Sequence, residues 1–138
     1  MNLMRIALAA VGAFVAYFVA GGLMFVSMPW MKTEFLKYSA VYRPHEGQIK
    51  YMPVGMAAMF VSIAVLAVIY AMIYRGGSGV VAGAQFGALI GVFATGAFTV
   101  HNFVNLNIGW KLAVEQSVAY FVEWMVVGIV IGVIYRPA

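Results

Sequence analysis

Residues 79–102 read GVVAGAQFGALIGVFATGAFTVHN, a run without a single Asp, Glu, Lys or Arg. A helix needs about 20 apolar residues to cross the hydrocarbon core of a bilayer, and the stretch from 80 to 102 supplies them. In lipid every backbone N–H and C=O must be satisfied within its own segment, so the run is predicted to be a helix despite its Val and Ile content. Its periodicity says how that helix packs. Gly79, Gly83, Gly87 and Gly91 recur every fourth residue, and the row continues as Thr95 and Thr99. One face is therefore nearly bare. Where no hydrophobic effect drives helices together, such a glycine-zipper row lets two backbones approach closely enough for dispersion contacts to hold them.

Working outward, three further apolar runs cover about residues 6–28, 53–74 and 112–134. The predicted fold is all-α: an integral membrane, up-down four-helix bundle with antiparallel neighbouring transmembrane helices, forming a single transmembrane domain over residues 1–138. Composition agrees, since 65% hydrophobic and 9% charged residues leave too little polar surface for a water-soluble domain. Arg5 before the first run resembles the start of a secretory signal. The run outlasts an ordinary signal core, however, and Phe18 breaks the small-residue pattern before Ala20, so a retained span is expected.

The connections are unequal. Gly76-Gly77-Ser78-Gly79 reads as a tight turn, 105–111 as a short link, and 30–52 as an extramembrane loop. Within that loop, Met31 to Tyr42 mixes Lys32, Glu34 and Lys37 with Phe35, Leu36 and Tyr38, a composition suited to the headgroup zone. Tyr42-Arg43-Pro44-His45-Glu46-Gly47 reads as a turn stiffened by Pro44 and released by Gly47. Ile73-Tyr74-Arg75 and Ile134-Tyr135-Arg136 echo one another and place Arg5, Arg75 and Arg136 at one membrane face. Trp30, Tyr38, Tyr42, Tyr51 and Trp110 belt the other. That second face carries Lys32, Lys37, Arg43, Lys50 and Lys111; the basic count favours outer termini, Arg5 and the α-amino group the reverse, and orientation stays open. The eight basic residues, net +4, are scattered singly, so nucleic acid is not an expected partner. The absence of Cys removes disulfides and thiolate chemistry.

Further small rows, Gly12-Ala16-Ala20 in the first span and Gly128-Gly132 in the fourth, match the stripe of the third. They serve either the interior of one bundle or a seam between subunits.

Glu123 is the most informative polar residue, about eleven positions from either end of the fourth run. An ionised side chain at that depth costs roughly 2.5–3.5 kcal/mol, so Glu123 is expected to face the bundle and is a candidate proton carrier. Helical spacing sets Glu115, Ala119 and Glu123 on one face, with Gln116 and Tyr120 beside it. The third span carries Thr95, Thr99, His101, Asn102 and Asn105. Counting down from the turn near 107–111 levels Glu115 with His101 and Glu123 with Thr95. The expectation is a polar cleft between spans three and four, with His101 and Glu115 at its mouth and Glu123 at its base. The alternative is that Glu123 bonds a facing carbonyl or Thr95 and only sets helix register.

Metal, cofactor and catalytic signals are weak. His101 with Glu115 and Glu123 makes neither the Glu-x-x-His pairing of di-iron bundles nor a zinc-protease helix, so no metal and no cofactor is expected. Met24, Met28 and Met31 share their spacing with Met52, Met56 and Met59 at one rim, which suits Cu(I) but more commonly fills an apolar gap. No nucleophile elbow, phosphate loop or dinucleotide fingerprint occurs, and Ser117 beside His101 or Glu115 is the sole candidate for hydrolysis; the chain is not expected to be an enzyme.

The segment from His101-Asn102-Phe103-Val104-Asn105 through Trp110 to Tyr135-Arg136 resembles the distal half of small, uncharacterised four-span bacterial inner-membrane protein families. The resemblance implies topology and a bacterial inner membrane, and carries no activity with it. Two roles are expected. The first is an accessory or structural subunit that associates through its small-residue faces with itself, as a homo-oligomer, or with other membrane subunits, surrounded by membrane lipids. The alternative is a small transporter, channel or ligand-binding protein that uses Glu123, Glu115, His101, Asn102, Thr95 and Gln116.

Overall fold

A computed structural model describes residues 1–136 as five helices, with no strand among the described residues. They are α1 (Leu3–Ser27), α2 (Pro29–Leu36), α3 (His45–Ile73), α4 (Gly79–Asn105) and α5 (Trp110–Ile134). α1, α3, α4 and α5 are each long and apolar enough to cross a membrane, and the chain is an all-α, four-span bundle.

Local chemistry sets the helix ends. The Asn2 side chain accepts from the Arg5 backbone N–H at 3.1 Å and starts α1. Gly76 and Gly77 take φ of +100° and +93°, a left-handed backbone that disfavours any side chain, and Ser78 then caps α4. The predicted turn at 42–47 is corrected. Pro44, extended with φ −61° and ψ 160°, is the residue before the first turn of α3, and His45, Glu46 and Gly47 already belong to that helix. A residue with no N–H to satisfy and a fixed φ suits a helix start better than the middle of a loop. The expected loop 30–52 thus contains all but the first residue of α2 and the first eight of α3.

α5 is the central element. α4 packs along one side of it, α1 along the other, and α3 lies on the outer flank of α1. Each packed pair is antiparallel. Along the α4–α5 seam the glycines approach backbone to backbone. A Cβ on Gly87 would stand 2.5 Å from the Trp124 carbonyl oxygen, and one on Gly91 would stand 2.9 Å from the Phe121 ring. Gly79 and Gly83 meet the Gly132 and Gly128 carbonyls in the same way.

A row of every fourth residue drifts about 40° per step around an α-helix of 3.6 residues per turn. In α4 the stretch Thr95–Val100 is π-helical. Its i→i+5 bonding winds less per residue and so turns Thr99 back toward α5, where it meets Ser117.

The α1–α3 side is built from small residues against one branched side chain, with Ala9, Ala13, Ile63 and Ala67 fully buried. Where α3 meets α4 and α5, Tyr70 packs edge-on against Phe86 (5.4 Å) and Tyr135 (6.2 Å). The Tyr74 and Tyr135 rings lie 6.3 Å apart, so the two echoed span ends sit at the same end of the bundle. Leu8, Val15, Val65, Leu89 and Val104 face outward, as lipid-exposed positions do.

Candidate binding cavity

The polar face of α5 is covered by α1 and α2. Glu123 lies thirteen residues from Trp110 and eleven from Ile134, which at about 1.5 Å per residue is near mid-depth. Its carboxylate faces α1 at a point where there is no side chain: a Cβ on Gly21 would stand 2.7 Å from Oε1. The carboxyl group forms one wall of a cavity of roughly 230 Å³. Tyr17 and Phe25 of α1, Met31 and Phe35 of α2, and Gln116 and Tyr120 of α5 supply most of the rest. The Tyr17 ring packs 5.6 Å from that of Trp124, which anchors the α1 wall to the core.

Above the cavity, α2 is held down by ions. Glu34 is 5% exposed and accepts from the Lys37 ammonium at 2.7 Å, while Lys111 of α5 stands 3.5 Å from the same Oε2. The hydrogen bond from Lys37 is the main reason the Glu34 carboxyl titrates below its usual range, with the Lys111 charge adding to it against the opposing effect of burial. The same contact raises Lys37 above the usual lysine range. Gln116 Nε2 donates to the Tyr42 hydroxyl at 3.3 Å, tying the segment after α2 to the rim. Glu115 Oε2 is buried with no hydrogen-bond partner among the described residues.

The expected cleft between spans three and four is not formed. Glu123, Gln116 and Tyr120 do share one face of α5, but that face meets α1 and α2 rather than α4. Thr95 and Thr99 meet Ser117 instead: the Thr99 and Ser117 hydroxyls are 2.8 Å apart, and Thr95 Oγ1 donates to the Ser117 carbonyl at 3.5 Å. His101 and Asn102 are exposed, and His101 joins neither Glu115 nor Glu123. The reason is angular. His101 is two positions beyond Thr99, which faces α5, and so it points away from that helix. Ser117 donates to the Ala113 carbonyl at 2.7 Å and pairs with Thr99, away from His101.

The methionine rows divide. Met31 lines the cavity and Met59 packs against the core, whereas Met52 and Met56 are exposed. Among the described residues no group of three His, Asp or Glu is placed to hold a metal. The sequence reading lacked Tyr17, Gly21 and Glu34 as site residues. Tyr17 and Gly21 are four apart on α1 and so share a face, which is the signal that marks them.

No protein-family model, curated protein or solved structure matches the chain.

Proposed function

We propose that this is a small membrane protein that binds, and by exchange with a proton carries, a small organic cation at Glu123. The observation that supports this reading is the composition of one cavity: a carboxyl at mid-depth, faced by Tyr17, Tyr120, Phe25 and Phe35. Aromatic faces attract a cation through their quadrupoles, and the attraction grows when water is excluded. A carboxylate at the base supplies the countercharge, and Gln116 a polar contact. A volume of roughly 230 Å³ suits a small solute. Exchange keeps the site neutral at depth: the carboxyl releases a proton as the cation arrives, and takes one up as it leaves.

An accessory or oligomeric role is the other reading. Gly79, Gly83, Gly87, Gly91, Gly128 and Gly132 all lie in the α4–α5 contact. Association with a second copy or another subunit would therefore use lipid-facing surfaces other than these rows. The resemblance of the distal half supports placing the chain in a bacterial inner membrane.

The test uses the protein in lipid nanodiscs and in proteoliposomes holding a pH-sensitive dye. Tetramethylammonium is expected to raise the melting temperature of the wild type and to drive proton movement, with both responses lost in Glu123→Gln. Equal responses in wild type, Glu123→Gln and Glu123→Leu would refute the reading. Native mass spectrometry showing other polypeptides at fixed stoichiometry, without a tetramethylammonium response, would favour the accessory role.

A further inference from the structure

A second cavity, of roughly 510 Å³, lies on the other side of Phe25 and Phe35, between α2 and the start of α3. Lys32, Arg43 and His45 line it, together with the Ser39 and Tyr42 hydroxyls and the Gln48 amide. Its remaining walls, Phe25, Leu36 and Pro44 among them, are apolar. Lys32 and Arg43 form no ion pair with any carboxylate among the described residues, in contrast to Lys37 and Lys111. Glu34 and Glu46, the acids nearest in sequence, are not among the walls.

The Arg43 guanidinium lies 4.3 Å from the Tyr51 ring centroid, so a cation–π contact holds it in place. Its N–H edges stay available to a pair of acceptor oxygens such as those of a phosphate. Gln48 Nε2 donates to the Arg43 carbonyl at 2.9 Å, which fixes the backbone of the same residue. Two unpaired cations, an imidazole and two hydroxyls around one concavity are the groups that recognise a phosphate.

Position supplies the second half of the argument. The cavity sits at the end of the bundle where α1 gives way to α2, and Phe25 belongs to the last turns of a membrane-spanning helix. The polar groups thus stand at headgroup level, with an apolar wall running toward the acyl chains.

We propose that this cavity binds the phosphate of an anionic glycerophospholipid, with the headgroup on Lys32, Arg43 and His45 and an acyl chain along Phe25 and Leu36. This inference is independent of the cation-binding reading, because none of the three basic residues lines the Glu123 cavity.

Nanodiscs of equimolar phosphatidylglycerol and phosphatidylcholine, followed by native mass spectrometry of the released protein, test it. The wild type is expected to retain phosphatidylglycerol in preference to phosphatidylcholine. Lys32→Gln and Arg43→Gln should each reduce that preference about ten-fold, the loss of one charge-assisted hydrogen bond to the phosphate. Lys50→Gln is the control: it removes a charge at the same rim but outside the cavity, and should lose no more than the few-fold of diffuse surface attraction. A loss in Lys50→Gln equal to that in Arg43→Gln would overturn the proposal in favour of diffuse attraction. Full retention in both cavity variants would overturn it outright. Inorganic phosphate, added in a separate arm, should displace little of the retained lipid. Complete displacement, with inorganic phosphate retained in place of lipid, would assign the site to free phosphate instead.

Discussion

Replacing Gly87 by alanine adds one methyl group at the tightest described point of the α4–α5 seam that involves a non-glycine partner. The new Cβ would stand 2.5 Å from the Trp124 carbonyl oxygen, 2.9 Å from Met125 Cα and 3.0 Å from the Met125 carbonyl oxygen. All three are backbone atoms, so no side chain can swing aside. Ordinary contact begins at 3.4 Å, so the helices must separate locally by about 0.9 Å. A gap of that size forfeits a quarter to a half of the dispersion well for every pair of atoms along the seam. Overpacking of this kind costs about 1–3 kcal/mol. With close approach as the main source of attraction between helices in lipid, the upper part of that range is expected.

The comparison that makes the experiment decisive is Gly22→Ala in α1, where a new Cβ would meet nothing within 4 Å. Alanine is the better helix former by about 1 kcal/mol, so that variant should be neutral or slightly more stable. Thermal unfolding followed by circular dichroism in mild detergent, repeated in nanodiscs, reads both. Gly87→Ala should melt well below the wild type and Gly22→Ala at or above it. Equal melting temperatures for the two variants would show that α4 and α5 do not pack through their glycines, and the arrangement around α5 would have to be redrawn.

Two further outcomes follow from buried polar groups. The Tyr70 hydroxyl is buried with no hydrogen-bond partner among the described residues, and a group left so costs about 1–3 kcal/mol; Tyr70→Phe should therefore raise the melting temperature, and a fall would mean that the hydroxyl is satisfied. Glu34 titrates below the usual carboxylate value of 4.5, so the unfolded chain takes up its proton first as the pH drops. The stabilisation from its ion pairs is present above pH 4.5 and is lost as the pH falls through the lower, folded value. Proteolytic nicking between α2 and α3 should rise in that acid window for the wild type, whereas Glu34→Gln should be equally sensitive at pH 7 and pH 4.

Most of the fold was legible because a bilayer leaves a chain few choices. Four apolar runs of sufficient length must be helices, and the glycine row of α4 marks the face that meets its neighbour. The placement of Glu123 against the wrong helix had a physical source. Counting from the turn at 107–111 levels Glu123 with Thr95, whereas Thr95 meets Ser117 and Gly87 meets Trp124, so Glu123 stands nearer the level of Leu89; depth, moreover, says nothing about direction around the helix. Each residue turns about 100°, and Glu123 lies five positions before Gly128, so it sits about 140° around α5 from the glycine row that faces α4. That angle was available from the sequence and excludes α4 as the partner. The burial of Glu34 was not available in the same way, because it depends on α2 folding back over α5, where Lys111 arrives from 77 residues further along the chain. The start of α3 at His45 was hidden by Pro44 and Gly47, which read as turn residues whether they end a loop or begin a helix.

The two sides of α5 differ in how they can respond to a ligand. Against α4 the contact is backbone on backbone, and a shift along the seam drives a carbonyl into an α-carbon. Such an interface is held in one arrangement. Against α1 and α2 the contact runs through side chains, leaves a partly open cavity of roughly 230 Å³, and is bridged at the rim by a hydrogen bond and an ion pair. The cavity is already partly open and Glu123 only half-buried, so any adjustment to a ligand falls on α2 and the adjoining part of α1, with α4 and α5 as the fixed frame. Phe25 and Phe35 line both cavities, so an acyl chain seated against Phe25 would bear on a wall of the Glu123 cavity. Were both proposed ligands bound, any effect of one on the other through this shared wall would be reciprocal, each altering the other's affinity by the same factor.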